Sequence, residues 1–143
     1  MPHLITEMEA FNRRRTPAHN RASGGRPQPQ AMPMKLPTLP FTLTDWNALP
    51  FTRHPGETGH ALWRTIHMGD IRIRMVEYSP HYLADHWCER GHILLVREGE
   101  LVTQLRDGRS FTLTAGMSYQ VSNHGDAAHR SASEPGAKLF IVD

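Results

Sequence analysis

The 143-residue sequence predicts an all-β fold, either a sandwich or a barrel, on three observations. Within the segment Ile71–Tyr78, three apolar residues at 71, 73 and 75 alternate with two arginines at 72 and 74, the period of two that a half-buried strand requires. The pair Asp107-Gly108 stands between two strand-like runs and is a strong signal for a hairpin turn. The chain also contains 11 glycines and 11 prolines, which interrupt helices, so no long helix is expected.

The predicted elements begin with one helical turn and continue as short strands. The turn spans residues 44–49, with Thr44 as its N-cap and Asp45 in its first turn. The predicted strands cover residues 62–66, 71–78, 93–96, 101–106, 111–113, 119–121 and 139–142, with turns at residues 98–99 and 107–108. Short strands separated by turn residues are typical of a sandwich or barrel.

The strand predicted over residues 71–78 carries two arginines on one face. Ile71, Ile73 and Met75 share the other face. The sequence favours the outer surface for Arg72 and Arg74. The alternative is that they point into the barrel and bind a carboxylate or a phosphate.

The first 35 residues differ in composition from the rest of the chain. Residues 1–33 contain five arginines and two glutamates, and residues 13–33 have almost no large apolar side chain. Such a segment cannot bury enough surface to offset the entropy of ordering it. We therefore expect a disordered, basic, proline-rich tail over residues 1–35 and one domain over residues 36–143. Two alternatives for the tail are a basic arm for an acidic partner and a true start at Met32 or Met34.

Charge and composition exclude several classes of protein. The 16 basic and 14 acidic residues give a net charge of +2, which makes no case for binding nucleic acid or a membrane surface. The single cysteine, Cys88, excludes an intramolecular disulfide. No apolar run approaches the length of a membrane span, about 20 residues. No glycine-rich phosphate loop is present, so no nucleotide cofactor is expected. Cysteine usage and the lack of a signal peptide lead us to expect a cytoplasmic protein.

Side chains able to bind a metal concentrate between residues 85 and 129. On a strand, His86 and Cys88 would point to the same side. His92 begins the next apolar strand, and His129 ends a second polar cluster at residues 123–129. Imidazole and thiolate are good ligands for first-row metals. All four side chains together would close a tetrahedral site, and three would leave an open position.

These residues resemble the two motifs of the cupin superfamily, which consists of small β-barrels of the jelly-roll type. The first motif reads His-x-His, three residues, Glu, six residues, Gly, and the second has a Gly and a later His. The matching positions here are His86, Cys88 in place of the second His, His92 in place of Glu, Gly99, Gly116 and His129.

A narrower resemblance covers residues 38–143. Trp46 and the segments 56–59, 63–65, 74–80, 84–88, 91–93 and 138–143 are similar to the bacterial family named DHCW motif cupin fold proteins. The resemblance implies a single-domain, RmlC-like cupin jelly-roll β-barrel. It supplies a candidate site but no established reaction.

The resemblance implies that His86, Cys88, His92 and His129 are metal ligands. Here a thiolate (Cys88) replaces an imidazole of the motif, and an imidazole (His92) replaces its carboxylate. The total charge of the four ligands stays the same, and the thiolate favours softer metals, namely Zn, Fe(II), Ni or Cu. The alternative is a metal-free pocket in which the same residues bind a ligand by hydrogen bonds and Cys88 only packs. Asp85 could accept a hydrogen bond from an imidazole, although a period of two turns it away from His86.

The function predicted from these patterns is broad. We expect a small cupin-fold protein that binds a divalent transition metal in the barrel and acts on or senses a small molecule, with Arg74, Tyr78 and Tyr119 as candidate substrate-pocket residues. The alternative is a metal-free cupin that binds a small ligand without catalysis. A metal-free isomerase is less well supported because no general base has suitable spacing. Whether the protein is an enzyme stays open.

Small single-barrel cupins generally pair with a second copy. We therefore expect a homodimer, with the segment 62–66 and its Trp63 as a candidate edge strand at the interface. No nucleic-acid or membrane partner is expected.

Overall fold

The computed structural model describes residue 36 and residues 38–143. The tail predicted over residues 1–35 lies outside the described residues. Within them, no helix is long and apolar enough to cross a membrane.

A single turn of 3-10 helix, Trp46–Ala48, precedes the first strand. Asp45 caps it by accepting a hydrogen bond from the backbone N–H of Asn47 at 3.1 Å. The helical turn was predicted at this place, but the predicted cap, Thr44, is wrong by one position. The carboxylate of Asp45 is the group that reaches the free N–H two residues on.

The described residues then form nine strands, so the predicted all-β fold is correct. The strands are β1 (Thr52–Pro55), β2 (His60–Met68), β3 (Ile71–Tyr78), β4 (Tyr82–Leu83), β5 (His92–Leu105), β6 (Ser110–Thr114), β7 (Ser118–Val121), β8 (His129–Ser133) and β9 (Ala137–Val142).

The strands curl into two faces that share β5. Its first half pairs with β7 and β9, and β9 continues through β3 and β2 to β1. Its second half pairs with β6 and β8, and β8 pairs with β4. All of these pairings are antiparallel, as expected of a jelly roll.

The turn predicted at residues 98–99 is instead a bulge inside β5. The pairing with β9 shifts register between Val96 and Glu98, and Gly99 adopts a positive φ of 77°. Glycine reaches that conformation without the steric cost that a Cβ would bring. The bulge lets one strand bend from the first face into the second, so the two predicted strands 93–96 and 101–106 are one element.

The core lies between the two faces. Leu94, Val96 and Leu101 from β5 are at most 1% exposed, and Leu139 from β9 is fully buried. These inward positions alternate along each strand with exposed ones, as the period of two requires.

The strand proposed as a dimer edge is covered by β1 over only part of its length. Residues 62–66 lie inside β2, which pairs with β1 on one side and β3 on the other. β1 pairs with Leu62 and Trp63, whereas its register places no β1 residue opposite residues 64–66. The free edge at this end of the sheet therefore consists of β1 and the second half of β2, and the homodimer itself stays a prediction.

Candidate metal centre

Three of the predicted ligands converge at one end of the barrel. His92 is the first residue of β5 and His129 the first of β8. Cys88 lies opposite His129 in an isolated β-bridge. The N–H of Cys88 donates to the carbonyl of His129 at 2.8 Å, and the N–H of His129 donates to the carbonyl of Cys88 at 2.9 Å. One ligand atom from each of the three side chains lies within 4.8 Å of the others.

The donor set fits a transition metal. The Sγ of Cys88 lies 3.6 Å from the Nε2 of His92. Tetrahedral zinc with Zn–S of about 2.3 Å and Zn–N of about 2.0 Å separates sulfur from nitrogen by about 3.5 Å. Thiolate with two imidazoles is a ligand set that Zn, Fe(II), Ni and Cu accept. Cys88, His92 and His129 could therefore hold a metal ion.

The surroundings of His129 favour its neutral form, the form in which imidazole binds a metal. It is 5% exposed, and within the described part of the chain its Nε2 is buried without a hydrogen-bond partner. Burial lowers the pKa of His129, and the charges of His92 and His86 lower it further. A buried nitrogen without a partner is costly unless a ligand satisfies it.

His86 lines the same cavity but stands apart from the group of three. Its side chain is 69% exposed, and its Nδ1 lies 2.6 Å from Asp85 Oδ1. The strand predicted for this segment is wrong, because residues 85–86 form a bend. The bend, which has no period of two, is what allows Asp85 to reach His86. The hydrogen bond with His86 lowers the pKa of Asp85. Because this bond uses the Nδ1 of His86, its Nε2 stays available.

Asp143, which the sequence analysis did not single out, supports the centre. Its Oδ2 lies 3.0 Å from the Nδ1 of His92, and its side chain is completely buried. Arg72 contacts both of its oxygens at 2.8 Å, and Arg74 adds a third contact at 2.8 Å. Burial alone would raise the pKa of Asp143, but the hydrogen bonds from Arg72, the contact with His92 and the arginine charges hold it well below its ordinary value. A carboxylate in this position fixes the ring of His92 with its Nε2 turned toward Cys88.

The sequence contained a weak signal for this contact. Asp143 directly follows β9, whose pairing with β3 places it opposite Arg72, and the two residues exchange backbone hydrogen bonds. A carboxylate at the end of one predicted strand and an arginine on another suggest an ion pair only when the pairing register is known.

The outer-face position favoured for Arg72 and Arg74 is wrong. Arg74 is 5% exposed, and both arginines line the cavity. The buried carboxylate of Asp143 supplies the countercharge that makes the inward position tolerable. The ring of Trp63 adds a cation–π contact, with its centroid 4.3 Å from the guanidinium of Arg74.

The cavity has a volume of about 110 Å³ and brings the candidate residues together. Arg74, Tyr78 and Tyr119 line it beside the metal-binding group. Tyr78 stacks on Tyr82 with ring centroids 4.0 Å apart. Burial raises the pKa of all three tyrosines, so their hydroxyls stay protonated and can donate hydrogen bonds.

A second cavity of about 170 Å³ adjoins the same centre. Tyr119 and His129 line both cavities, and the other walls of the second are mainly apolar, with Leu105, Phe111 and Leu113 among them. The centre therefore has a polar side and an apolar side.

Comparisons with known proteins identify the architecture. No protein-family model matches the sequence, and no curated protein matches it significantly. Solved structures do match. An RmlC-like cupin from Shewanella frigidimarina NCIMB 400 has a TM-score of 0.58 at 17% identity, with 72% of this chain and 89% of that chain covered.

Two further structures match over similar lengths. The polyketide cyclase RemF from Streptomyces resistomycificus has a TM-score of 0.57 at 20% identity, covering 71% of this chain and 78% of that one. Ectoine synthase from P. lautus has a TM-score of 0.56 at 15% identity, covering 71% and 76%. At these identities the likeness concerns the fold, and the narrower DHCW family is not confirmed.

Proposed function

The chain has the cupin fold, and on that premise we propose that it is a metal-binding cupin that acts on or senses a small molecule in its barrel. Cys88, His92 and His129 are the proposed core ligands, and the more exposed His86 is the fourth. The observation that carries the proposal is the convergence of one donor atom from each core residue within 4.8 Å, at the wall of a cavity.

The metal, when bound, would supply Lewis acidity toward a small molecule in the cavity. The residues of the chain have separate tasks. Asp143 holds His92 in the orientation that a ligand needs, and the bridge to His129 fixes Cys88. The proposed metals are Zn, Fe(II), Ni and Cu, because a thiolate in the set disfavours harder ions.

Two of the similar structures are named as a synthase and a cyclase, at 15% and 20% identity. They support catalysis as one use of this fold and no particular reaction for this chain. A reaction catalysed by this protein would need its substrate beside His129 and Cys88, where the cavity is open to a small molecule.

The test is metal analysis of full-length protein purified without an affinity tag. We expect close to one equivalent of a transition metal per chain. His92→Ala and His129→Ala should lose it, and His86→Ala should lose a smaller fraction. His67→Ala is the matched control, because His67 is exposed on β2 and should keep the metal.

A second arm addresses the thiolate. Cys88→Ser, nearly equal in size, should lower metal affinity in chelator competition by at least about tenfold, since hydroxyl is a poor ligand for soft metals. Wild-type protein that folds, contains no metal and takes up none would overturn the proposal. It would then leave the metal-free ligand-binding cupin as the better function.

A further inference from the structure

The polar cavity beside the candidate metal centre has an excess of positive charge. Arg72 and Arg74 project into it from β3, and no Asp or Glu is among the described residues that line it. Asp143 is the carboxylate that contacts both guanidinium groups, and it lies behind them, completely buried. Within this group, one buried carboxylate therefore faces two arginines, and both arginines line the cavity.

Arg74 is the less compensated of the two. Arg72 uses its Nε and Nη2 on the two oxygens of Asp143, whereas Arg74 makes one contact, through its Nη2. Within the described residues, the Nε of Arg74 is buried without a hydrogen-bond partner. Burial lowers the pKa of Arg74, although Asp143 acts in the opposite direction. A buried cation with a spare donor is costly, and an anionic ligand would offset that cost.

The third arginine at the cavity does not share this property. The guanidinium of Arg130 is held by Gln104 Oε1 at 2.9 Å and stacks on Trp87 at 4.7 Å. Its Nη1 also lies 3.7 Å from Glu57 Oε2, so Arg130 already has a carboxylate of its own.

The remaining walls favour a flat organic molecule. Trp63 covers Arg74, and His54 stacks on Trp63 with ring centroids 3.9 Å apart. Tyr78 and Tyr82 form a stacked pair on the same cavity. Aromatic faces suit planar groups, and protonated phenols donate hydrogen bonds to oxygen. A volume of about 110 Å³ suits a small molecule.

We propose that the polar cavity binds a small organic carboxylate, with its carboxylate group at Arg74 and Arg72 and its planar part against the aromatic walls. The proposal deepens the proposed function by naming the class of small molecule. It rests on that function only in placing the ligand in the same cavity, because the arginines and tyrosines do not depend on a metal for their charge.

The test compares acids with their neutral amides by calorimetry and by tryptophan fluorescence on the full-length protein. The probes are pyruvate, malonate and benzoate, each against its amide, together with inorganic phosphate and sulfate. We expect at least one acid to bind about tenfold or more tightly than its amide, because a charge-assisted hydrogen bond is lost. Phosphate and sulfate should bind more weakly than that acid.

Substitutions locate the site. Arg74→Gln should weaken acid binding about tenfold or more and remove most of the difference between acid and amide. Arg74→Lys keeps the positive charge but loses the planar guanidinium group. Its affinity for the acid should lie between those of the wild type and Arg74→Gln. Arg53→Gln, at an exposed position on β1, is the matched control and should bind as the wild type does. If Arg74→Gln does not fold, Arg74→Lys and the comparison of acids with amides in the wild type still decide the matter.

The measurements are made on both metal-loaded and metal-depleted protein, with metal content determined in each. Acid-selective binding by protein that contains no metal as purified and takes up none would support the carboxylate site and contradict the metal proposal. Acid-selective binding by both the loaded and the depleted protein would support the carboxylate site and leave the metal proposal standing. The carboxylate site would be overturned if the amides bound as tightly as the acids, or if phosphate or sulfate bound as tightly as the best acid. It would also be overturned if no probe bound, or if Arg74→Gln bound the acid with unchanged affinity.

Discussion

Asp143 connects the charge balance of the barrel to the geometry of the candidate metal centre. Its carboxylate contacts Arg72, Arg74 and His92 at 2.8 to 3.0 Å, and its side chain is completely buried. Buried ions depend on one another, since the loss of one leaves its partners without compensation. A change at this residue should therefore affect both stability and metal binding.

Asp143→Asn should lower the free energy of unfolding by about 3 kcal/mol, because two buried guanidinium groups lose their countercharge. Urea unfolding monitored by circular dichroism measures the change. Asp107→Asn is the control, since Asp107 pairs with Arg109 at the surface, where an ion pair contributes little. An equal loss in both variants would contradict a special role for the buried carboxylate.

The pH dependence of stability should follow His129 near neutrality. Burial keeps its folded-state pKa below the value of about 6.5 expected in the unfolded chain. The folded protein then binds fewer protons than the unfolded one, so the stability from His129 is complete above that pH and is lost as the pH falls through the folded pKa.

Urea unfolding of metal-free protein from pH 8 to pH 5 measures this dependence, with His129→Asn as the comparison. We expect a smaller fall in stability for the variant over this range. Asp143, whose pKa is also lowered, contributes its own loss only at much lower pH. The same slope in both proteins would show that His129 is not the group responsible.

Among the elements, the bulge in β5 has the strictest steric demand. A Cβ added at Gly99 would collide with the backbone carbonyl of Gly136, and φ is already positive there. Gly99→Ala should cost several times as much stability as Gly108→Ala, which has a positive φ in an open turn with nothing within 4 Å. Gly108→Ala alone should lower the free energy of unfolding by about 1–2 kcal/mol. Thermal melts of both variants measure the difference, and similar losses would mean that the backbone yields at the bulge.

The sequence predicted the elements whose own pattern carries the information. The alternation in β3 and the hairpin at residues 107–108 depend on neighbouring residues, and both are present. β8 was missed because its sequence, HRSAS, has no apolar alternation, and its strand conformation depends on pairing with β5 and β4.

The same distinction applies to the candidate site. Cys88, His92 and His129 could be proposed from motif spacing, and the structure brings them together. The inward position of Arg72 and Arg74 could not be predicted from the sequence, because it depends on the carboxylate of Asp143, some 70 positions away along the chain. Periodicity gives two faces to a strand, but the countercharge decides which face can bury an arginine.

At the scale of the whole molecule, the association state is open to a direct measurement. Phe41 and Leu43 are 93% and 85% exposed on the segment that leads into β1, the free edge of its sheet. Exposed apolar side chains favour covering by a second copy. We expect a homodimer of about twice 16.2 kDa in sedimentation equilibrium at low micromolar concentration.

Replacing both side chains, Phe41→Ser with Leu43→Ser, should shift that equilibrium toward the monomer without changing the circular dichroism spectrum. A wild-type protein that sediments only as a 16.2 kDa species would refute the homodimer.

The continuity of β5 has a consequence for how the molecule opens. Because each half of β5 lies between two other strands, its amides cannot be released by fraying of a sheet edge. In deuterated water, the amides of β5 should be the last to exchange, at a rate set by global unfolding. The short edge strands β1 and β4 should exchange by local opening, so one strand should report the stability of the entire barrel.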